Sequence, residues 1–362
     1  MTPAVSVVTA AYNGAVWLPA TLESLSAQTF PDWEAIIVDD CSTDDTRELV
    51  AGWPDPRVRL LTLDRNGGPV HARNAGVAAA RGRYIAGLDQ DDLCRPERLA
   101  RQVAWLDAHP GCALVGTAVE WLRDGAVRQT THPVTTTPAL LAWLLRIENP
   151  LAWSSVMLRA DLARRLDPFT RPQMLCAEDF DLYHRMSALG EIARLDQPLL
   201  LYRQHAGGMS RRFIEAMRES AAGVLADCHR AALGDAADDA ATLLVRHNMD
   251  GAPVPDRPTY AALGSLLGHL QGHFIAETAP DAHTRRLIRW ETARRWARIG
   301  RAGLRGGTLT LDDVLAVRPP HLGLGYVGVA ALATSRLLGG TRAARQTLAA
   351  KIIRPAPNRA NT

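Results

Sequence analysis

The chain lacks a paired cysteine motif. Its five cysteines, Cys41, Cys94, Cys112, Cys176 and Cys228, are odd in number, scattered, and form no CxxC pair. That excludes the spacing of a zinc site or a disulfide framework and favours a reducing cytosol. With 28 glycines and 22 prolines in 362 residues, collagen-like and low-complexity classes are excluded. The opening "MTPAVSVVTAAYNG" has no basic n-region and moves straight into strand-like sequence, so no signal peptide is expected. Long apolar runs are missing as well. The nearest, residues 319–335 ("PPHLGLGYVGVAALATS"), is short and glycine-rich for a membrane span. There are no internal repeats.

What is present suits a globular protein of about two domains, with 47% hydrophobic and 22% charged residues. The net charge of +3 is unevenly spread: residues 284–362 carry fifteen Lys/Arg against three acids, and residues 1–283 carry 26 against 35. A basic end on an acidic body points to an anionic contact such as a phospholipid surface. The plainer reading is a solvated arginine-rich face.

The first hundred residues alternate strands with helices. "VSVVTA" (5–10), "WEAIIVDD" (33–40), "VRLLTL" (58–63) and "RYIAGLD" (83–89) read as strands. Residues 15–28 have helical spacing, with Leu18, Leu22 and Leu25 on one face. "STDDTRELVAGW" reads as a helix with Ser42 as N-cap, and residues 67–82 as a glycine loop leading into a helix. This order predicts an α/β fold with parallel strands, whose ligands bind beyond the carboxyl ends of the strands. Further on, "ALVGTAVEWL" reads as a strand pair, residues 151–166 as strand then helix, "AEDFDLYHRMSALG" as a helix ending at Gly190, and "LLLYR" as a strand. Past Gly207 the chain becomes Ala-, Arg- and Leu-rich. That places a domain boundary near Gly208, with an α/β domain at 1–208 and a helical accessory region at 209–362. Residues 283–307 are predicted helical, with apolar residues on every side rather than one clean amphipathic stripe.

Three strand ends are polar: Thr9 with Tyr12, Asp39 with Asp40, and "DQDD" at Asp89–Asp92. Carboxylates this close raise one another's pKa unless a cation sits among them. Asp89 and Asp91 fit a hard divalent ion, which takes one or two carboxylates plus substrate phosphates; the alternative is an acidic turn with Asp92 capping the next helix. Asp39 can accept a hydrogen bond from a base or ribose. Arg73 is either a phosphate ligand or a structural ion-pair partner. Glu178, Asp179 and Asp181 either supply a general base or stabilise a helix N-terminus. His205 is a metal ligand or an exposed loop histidine.

In order, "VSVVTAAYNG", "SLSAQTFPDWEAIIVDDCSTDDT", "NGGPVHARNAG", "GRYIAGLDQDDLCRPERL", "AEDFDLYHRM" and "YRQHAGGMS" resemble the inverting family-2 glycosyltransferases of the GT-A fold, over roughly residues 5–210. The resemblance implies that Thr9, Tyr12 and Asp39 hold a nucleotide, with Arg73 near its phosphates. It implies that Asp91 binds Mn²⁺ or Mg²⁺ with Asp89 near the ribose, that Asp179 is the catalytic base, and that His205 closes over the diphosphate or metal. A single sugar would then pass with inversion from a UDP-sugar to a hydroxyl of a glycan, lipid-linked saccharide or small molecule, in polysaccharide or glycoconjugate biosynthesis in the cytoplasm. The stretch "RLDPFTRPQMLCAED" lacks the family's usual glycines, and the Gln-x-x-Arg-Trp signature of polymerising members is absent. Two other readings are a retired, nucleotide-binding scaffold and a polyprenyl-phosphate transferase at the inner membrane surface, held by the basic end. No nucleic-acid role is expected.

Overall fold

The computed structural model describes residues 2–130, 133, 135–174, 176–205, 213–317, 319 and 331–339. The expected boundary at Gly208, the glycine loop after His205, most of the apolar run 319–335 and the basic end beyond 339 lie outside the described residues. The chain divides into two compact units, Met1–Asp238 and Asp239–Thr362.

The first unit opens with β1 (Val5–Ala11), α1 (Leu18–Ser26), β2 (Trp33–Asp39), α2 (Thr46–Ala51), β3 (Val58–Thr62), α3 (Gly68–Ala79) and β4 (Tyr84–Gly87). The strands pair in parallel in the order β3-β2-β1-β4. β2 is buried along its whole length, as a parallel strand covered on both faces must be. Leu18, Leu22 and Leu25 of α1 are fully buried, as their spacing predicts. At Gly76 an added Cβ would sit 2.5 Å from Val8 Cγ1, so only glycine lets α3 lie this close to the sheet.

The chain continues with β5 (Leu93–Cys94), α4 (Arg98–Ala108), β6 (Cys112–Arg123), β7 (Ala126–Gln129), α5 (Pro138–Leu145), β8 (Met157–Arg159), α6 (Ala160–Ala163), α7 (Glu178–Ser187), β9 (Glu191–Arg203) and α8 (Ile214–Leu233). These extend the sheet as β4-β8-β6-β9-β5, with β8 antiparallel to both neighbours and β6 parallel to β9. The result is a mixed α/β sheet flanked by helices.

Several expectations are corrected here. The anticipated strand pair at 113–122 is one strand, β6. Its hairpin partner β7 follows a two-residue turn, Asp124-Gly125, with φ of 51° and 76°. Asp-Gly is the sequence signal for such a turn. β9 runs for 13 residues rather than the five of "LLLYR", because its ladder shifts register opposite Thr117–Val119 and so tolerates Pro198. α7 is capped at Ala188, not Gly190. α5 was not anticipated. It is apolar all round ("PALLAWLL"), so it has no periodic face to read, and Thr137 Oγ1 caps it by accepting Leu140 N–H at 3.1 Å.

The second unit is helical. α9 (Ala237–Leu243) runs into a π-helical turn (Leu244–Met249) and is followed by α10 (Arg257–Thr278), α11 (Ala282–Gly306), α12 (Leu311–Ala316) and a helix at 331–339. Asp256 and Asp281 cap α10 and α11 by accepting the N–H groups of Thr259 and Thr284. Tyr260 stacks on Trp296, ring centroids 3.8 Å apart. On α11, Ile288, Trp296, Ile299 and Leu304 are all buried, and buried Glu291 pairs with Arg294 and Arg295. That broad burial is why its apolar residues form no single stripe. Among the described residues no helix is long and apolar enough to cross a membrane.

Candidate active site

Because β2, β1 and β4 are adjacent and parallel, their polar carboxyl ends share one edge of the sheet. Gln90, between the two aspartates of "DQD", joins two of those ends. Its Oε1 accepts Tyr12 N–H at 3.0 Å and its Nε2 donates to Tyr12 O at 3.2 Å. At Gly14 an added Cβ would lie 2.2 Å from Gln90 Oε1, so the glycine makes room for this clasp. The loop after β1 is also laced to the loop after β2. Asn13 N–H donates to Ser42 Oγ at 2.9 Å, Gly14 N–H to Thr46 Oγ1 at 2.9 Å, and Ala15 N–H to Asp44 Oδ2 at 3.1 Å. Ser42 is therefore not the N-cap of α2. That position is Asp45, which makes no side-chain cap bond. Ser42, expected to cap a helix, instead satisfies the backbone of a facing loop, and Asp44 does so while also accepting Thr46 N–H at the start of α2; the Tyr12 side chain is exposed at the edge.

The nucleotide candidates differ in access. Thr9 is fully buried, and its hydroxyl has no partner among the described residues. Asp39 is buried and accepts Arg47 Nε–H at 2.5 Å and Ser42 N–H at 3.2 Å. Asp40 accepts the N–H groups of Gly67 and Gly68 at 2.8 and 2.7 Å, so it anchors the glycine loop.

Arg73, carried into the site by α3, joins both acidic clusters. One arm donates to Asp89 Oδ1 at 3.0 Å and the other to Glu178 Oε1, while its guanidinium lies 5.0 Å from the Trp153 ring centroid. Burial opposes its charge, but Asp89, Glu178 and Asp179 outweigh burial and hold it firmly protonated. Asp89 N–H in turn donates to Ser154 Oγ at 2.9 Å.

Asp91 faces His205, with Oδ2 and Nε2 at 2.8 Å. Trp17 packs against the imidazole at 4.8 Å, and the Arg203 guanidinium lies 4.9 Å over Trp17 while donating to Asp91 O. Burial, then the charge of Asp89, pushes the Asp91 carboxyl up, with His205 opposing. Asp92 does not cap α4, whose N-cap is Glu97. It is buried and accepts Arg203 N–H at 2.8 Å, and burial drives its carboxyl well above the usual range. Among the described residues no third acid, imidazole or thiol completes a ligand cage. A carboxylate and an imidazole meeting at one point still fit a divalent ion that takes its remaining oxygens from phosphates.

Asp179 lies in the first turn of α7. Its Oδ2 accepts Asn149 Nδ2–H at 3.3 Å and its Oδ1 accepts Phe180 N–H at 2.7 Å. Surrounding protein desolvates the carboxyl, and Glu178 adds like charge, so its pKa rises to about 7. Asp181 is neutralised by Arg185 and Arg171 at 2.9 and 3.2 Å. One turn beyond Asp179, the buried Tyr183 hydroxyl has no partner among the described residues. Gln90, Asn149, Trp17, Arg203 and Tyr183 were not read from the sequence. For Tyr183 the i+4 spacing from Asp179 is a signal; Asn149 sits 30 residues away in a loop and offers none.

The sequence description of glycosyl transferase family 2 matches residues 6–160. The succinoglycan biosynthesis protein ExoO of Rhizobium meliloti is 56% identical over 106 residues, which cover 29% of this chain and 30% of that protein. This chain thus spans less than a third of that relative's length. The putative glycosyltransferase EpsE of Bacillus subtilis is 30% identical over 235 residues, covering 63% of this chain and 83% of that one. Among solved structures, TarS 1-349 of S. aureus in complex with UDP-GlcNAc superposes with a TM-score of 0.53 at 18% identity, over 95% of this chain and 92% of that one. That likeness shows the fold, a GT-A arrangement with a helical C-terminal region. On the family match and on EpsE, 83% of which this chain covers, the chain belongs to glycosyltransferase family 2.

Proposed function

We propose that this chain is a metal-dependent inverting glycosyltransferase that moves one sugar from a UDP-sugar to an acceptor hydroxyl in polysaccharide or glycoconjugate biosynthesis. The observation that carries the reading is Asp179, a desolvated carboxyl with a pKa of about 7. It is tied through Glu178 and Arg73 to Asp89 at the strand ends. A general base works best with its pKa near the operating pH.

The exposed Tyr12 ring offers a face for a base, and Asp39 an acceptor for its N–H. Asp91 and His205 would hold Mn²⁺ or Mg²⁺, which supplies positive charge to the departing diphosphate. Asp179 takes the proton of the acceptor hydroxyl as that oxygen bonds to the anomeric carbon. The carbon–oxygen bond to the diphosphate breaks on the opposite face, and the leaving group keeps its electron pair. One displacement inverts the configuration. Arg73, with both arms on carboxylates, serves this scheme by keeping the base and donor clusters in register. Residues 1–208 contain every group the scheme uses. The setting is supported by ExoO, named for succinoglycan biosynthesis.

The test is calorimetric binding of UDP, GDP and dTDP with and without Mn²⁺, on wild type and Asp91→Ala. The expected result is tightest binding of UDP, dependent on metal in wild type and not in Asp91→Ala. If no nucleotide binds wild type with metal present, this reading is overturned.

A further inference from the structure

The Asp39 carboxylate is the natural acceptor for a base N–H, yet its side chain is 0% exposed. What covers it is Arg47, from the first turn of α2, itself 40% exposed. Nε of Arg47 donates to Asp39 Oδ2 at 2.5 Å. Cys41 is fixed in a left-handed conformation, φ 61°, with its thiol turned to Leu63 O at 3.1 Å. The floor beneath Arg47 is therefore built from the ends of β2 and β3, beside the loop that presents Tyr12.

We infer that Arg47 is a specificity-determining residue of the donor site, reading the carbonyl next to the base N–H that Asp39 accepts. This rests on the donor-site reading above. A base that reaches Asp39 must displace Arg47 from part of that carboxylate. Guanidinium carries five N–H donors and no acceptor, so the displaced group meets the base as a donor only. A carboxylate facing the ring nitrogen with a guanidinium at its side matches a lactam edge, N–H beside C=O. Uracil, thymine and guanine present that edge. Cytosine and adenine place a ring-nitrogen lone pair against the carboxylate and an amino group against the guanidinium, and both contacts are repulsive. Discrimination then comes from rejection of the wrong edge as well as attraction to the right one. Charge-assisted bonds of this kind are the strong ones.

The experiment measures affinities of UDP, GDP, CDP and ADP, each with Mn²⁺, on wild type, Arg47→Ala and Arg47→Lys, with thermal melts of all three proteins. Lysine keeps a cation beside buried Asp39, but a single ammonium held at that carboxylate cannot also reach the neighbouring carbonyl as a second arm of the guanidinium does, so it answers the question even if the alanine variant fails to fold. Wild type is expected to bind UDP and GDP at least about tenfold tighter than CDP and ADP. Both variants are expected to lose about tenfold in UDP affinity, with CDP unchanged or tighter, so that the UDP:CDP ratio collapses. An unchanged ratio in Arg47→Lys overturns the inference, whether affinities stay equal or all tighten together, because Arg47 would then only shield Asp39. Wild type that binds no nucleotide defeats the donor-site reading and this inference with it. Wild type that binds UDP while the variants keep its ratio defeats this inference alone.

Discussion

The two acidic clusters of the site have similar sequences and different partners. In Glu178-Asp179-x-Asp181, the flanking acids each have an arginine: Arg73 for Glu178, and Arg171 with Arg185 for Asp181. Asp179 alone is left with a neutral amide, Asn149, and its pKa rises to about 7. In Asp89-x-Asp91-Asp92, Asp89 has Arg73 and Asp92 a backbone N–H, while Asp91 has His205. The first cluster thus leaves one carboxylate without an arginine, Asp179, and the second leaves two, the buried Asp92 and Asp91. The difference lies in what faces Asp179 and Asp91: an amide suits a proton acceptor, and an imidazole suits a shared ion.

Removing the Asp179 carboxylate breaks this comparison most severely. Asp179→Asn is expected to lower kcat by about 10²–10⁴-fold with UDP affinity held within about twofold, measured by steady-state turnover beside calorimetry. Next comes the shared arginine. Arg73→Gln leaves buried Glu178 without a cation and is expected to destabilise the fold by about 3–5 kcal/mol, read by denaturant unfolding. The third test is pH. The raised pKa of Asp179 means that the fold favours its protonated form, so the base form is present only above about pH 7. The expected kcat/KM is flat above that value and falls about tenfold per unit below it. The sign for stability is the reverse. Wild type loses stability relative to Asp179→Asn as pH rises from the unfolded value, about 3.9, through about 7. A profile whose acid limb lies near pH 4 would show that Asp179 is not desolvated as described. The smallest effect is expected for Asn149→Ala. It removes one hydrogen bond to the ionised form and should move the acid limb upward by less than about one unit.

The legibility of the fold follows the same division as its periodicity. β1 to β4 with α1 and α3 were readable because short apolar runs alternate with helical spacing, and parallel packing demands little else. The region after Cys112 was harder for reasons visible in the residues. β6 outlasts the usual strand length, β9 carries Pro198 across a register shift, and α5 is apolar on every face. Among the candidate groups, Asp39, Asp89, Asp91 and Asp179 stand out by residue type at strand ends or a helix start, and Arg73 and His205 by residue type beside glycine loops. Their partners do not, because Asn149 and Asp179, or Gln90 and Tyr12, are brought together only by the folded loops.

Sequence alone determined the alternation that makes an α/β sheet, the acids at its strand ends and the resemblance to family-2 glycosyltransferases. Those depend on local pattern and on residue types at short spacing. Tertiary structure decided which acids are neutralised, that Ser42 laces two loops rather than capping a helix, that Arg73 spans both clusters, and that Arg47 covers Asp39. Those outcomes depend on burial and on contacts between residues far apart in the chain, where desolvation and the nearest charge set the chemistry of each carboxylate.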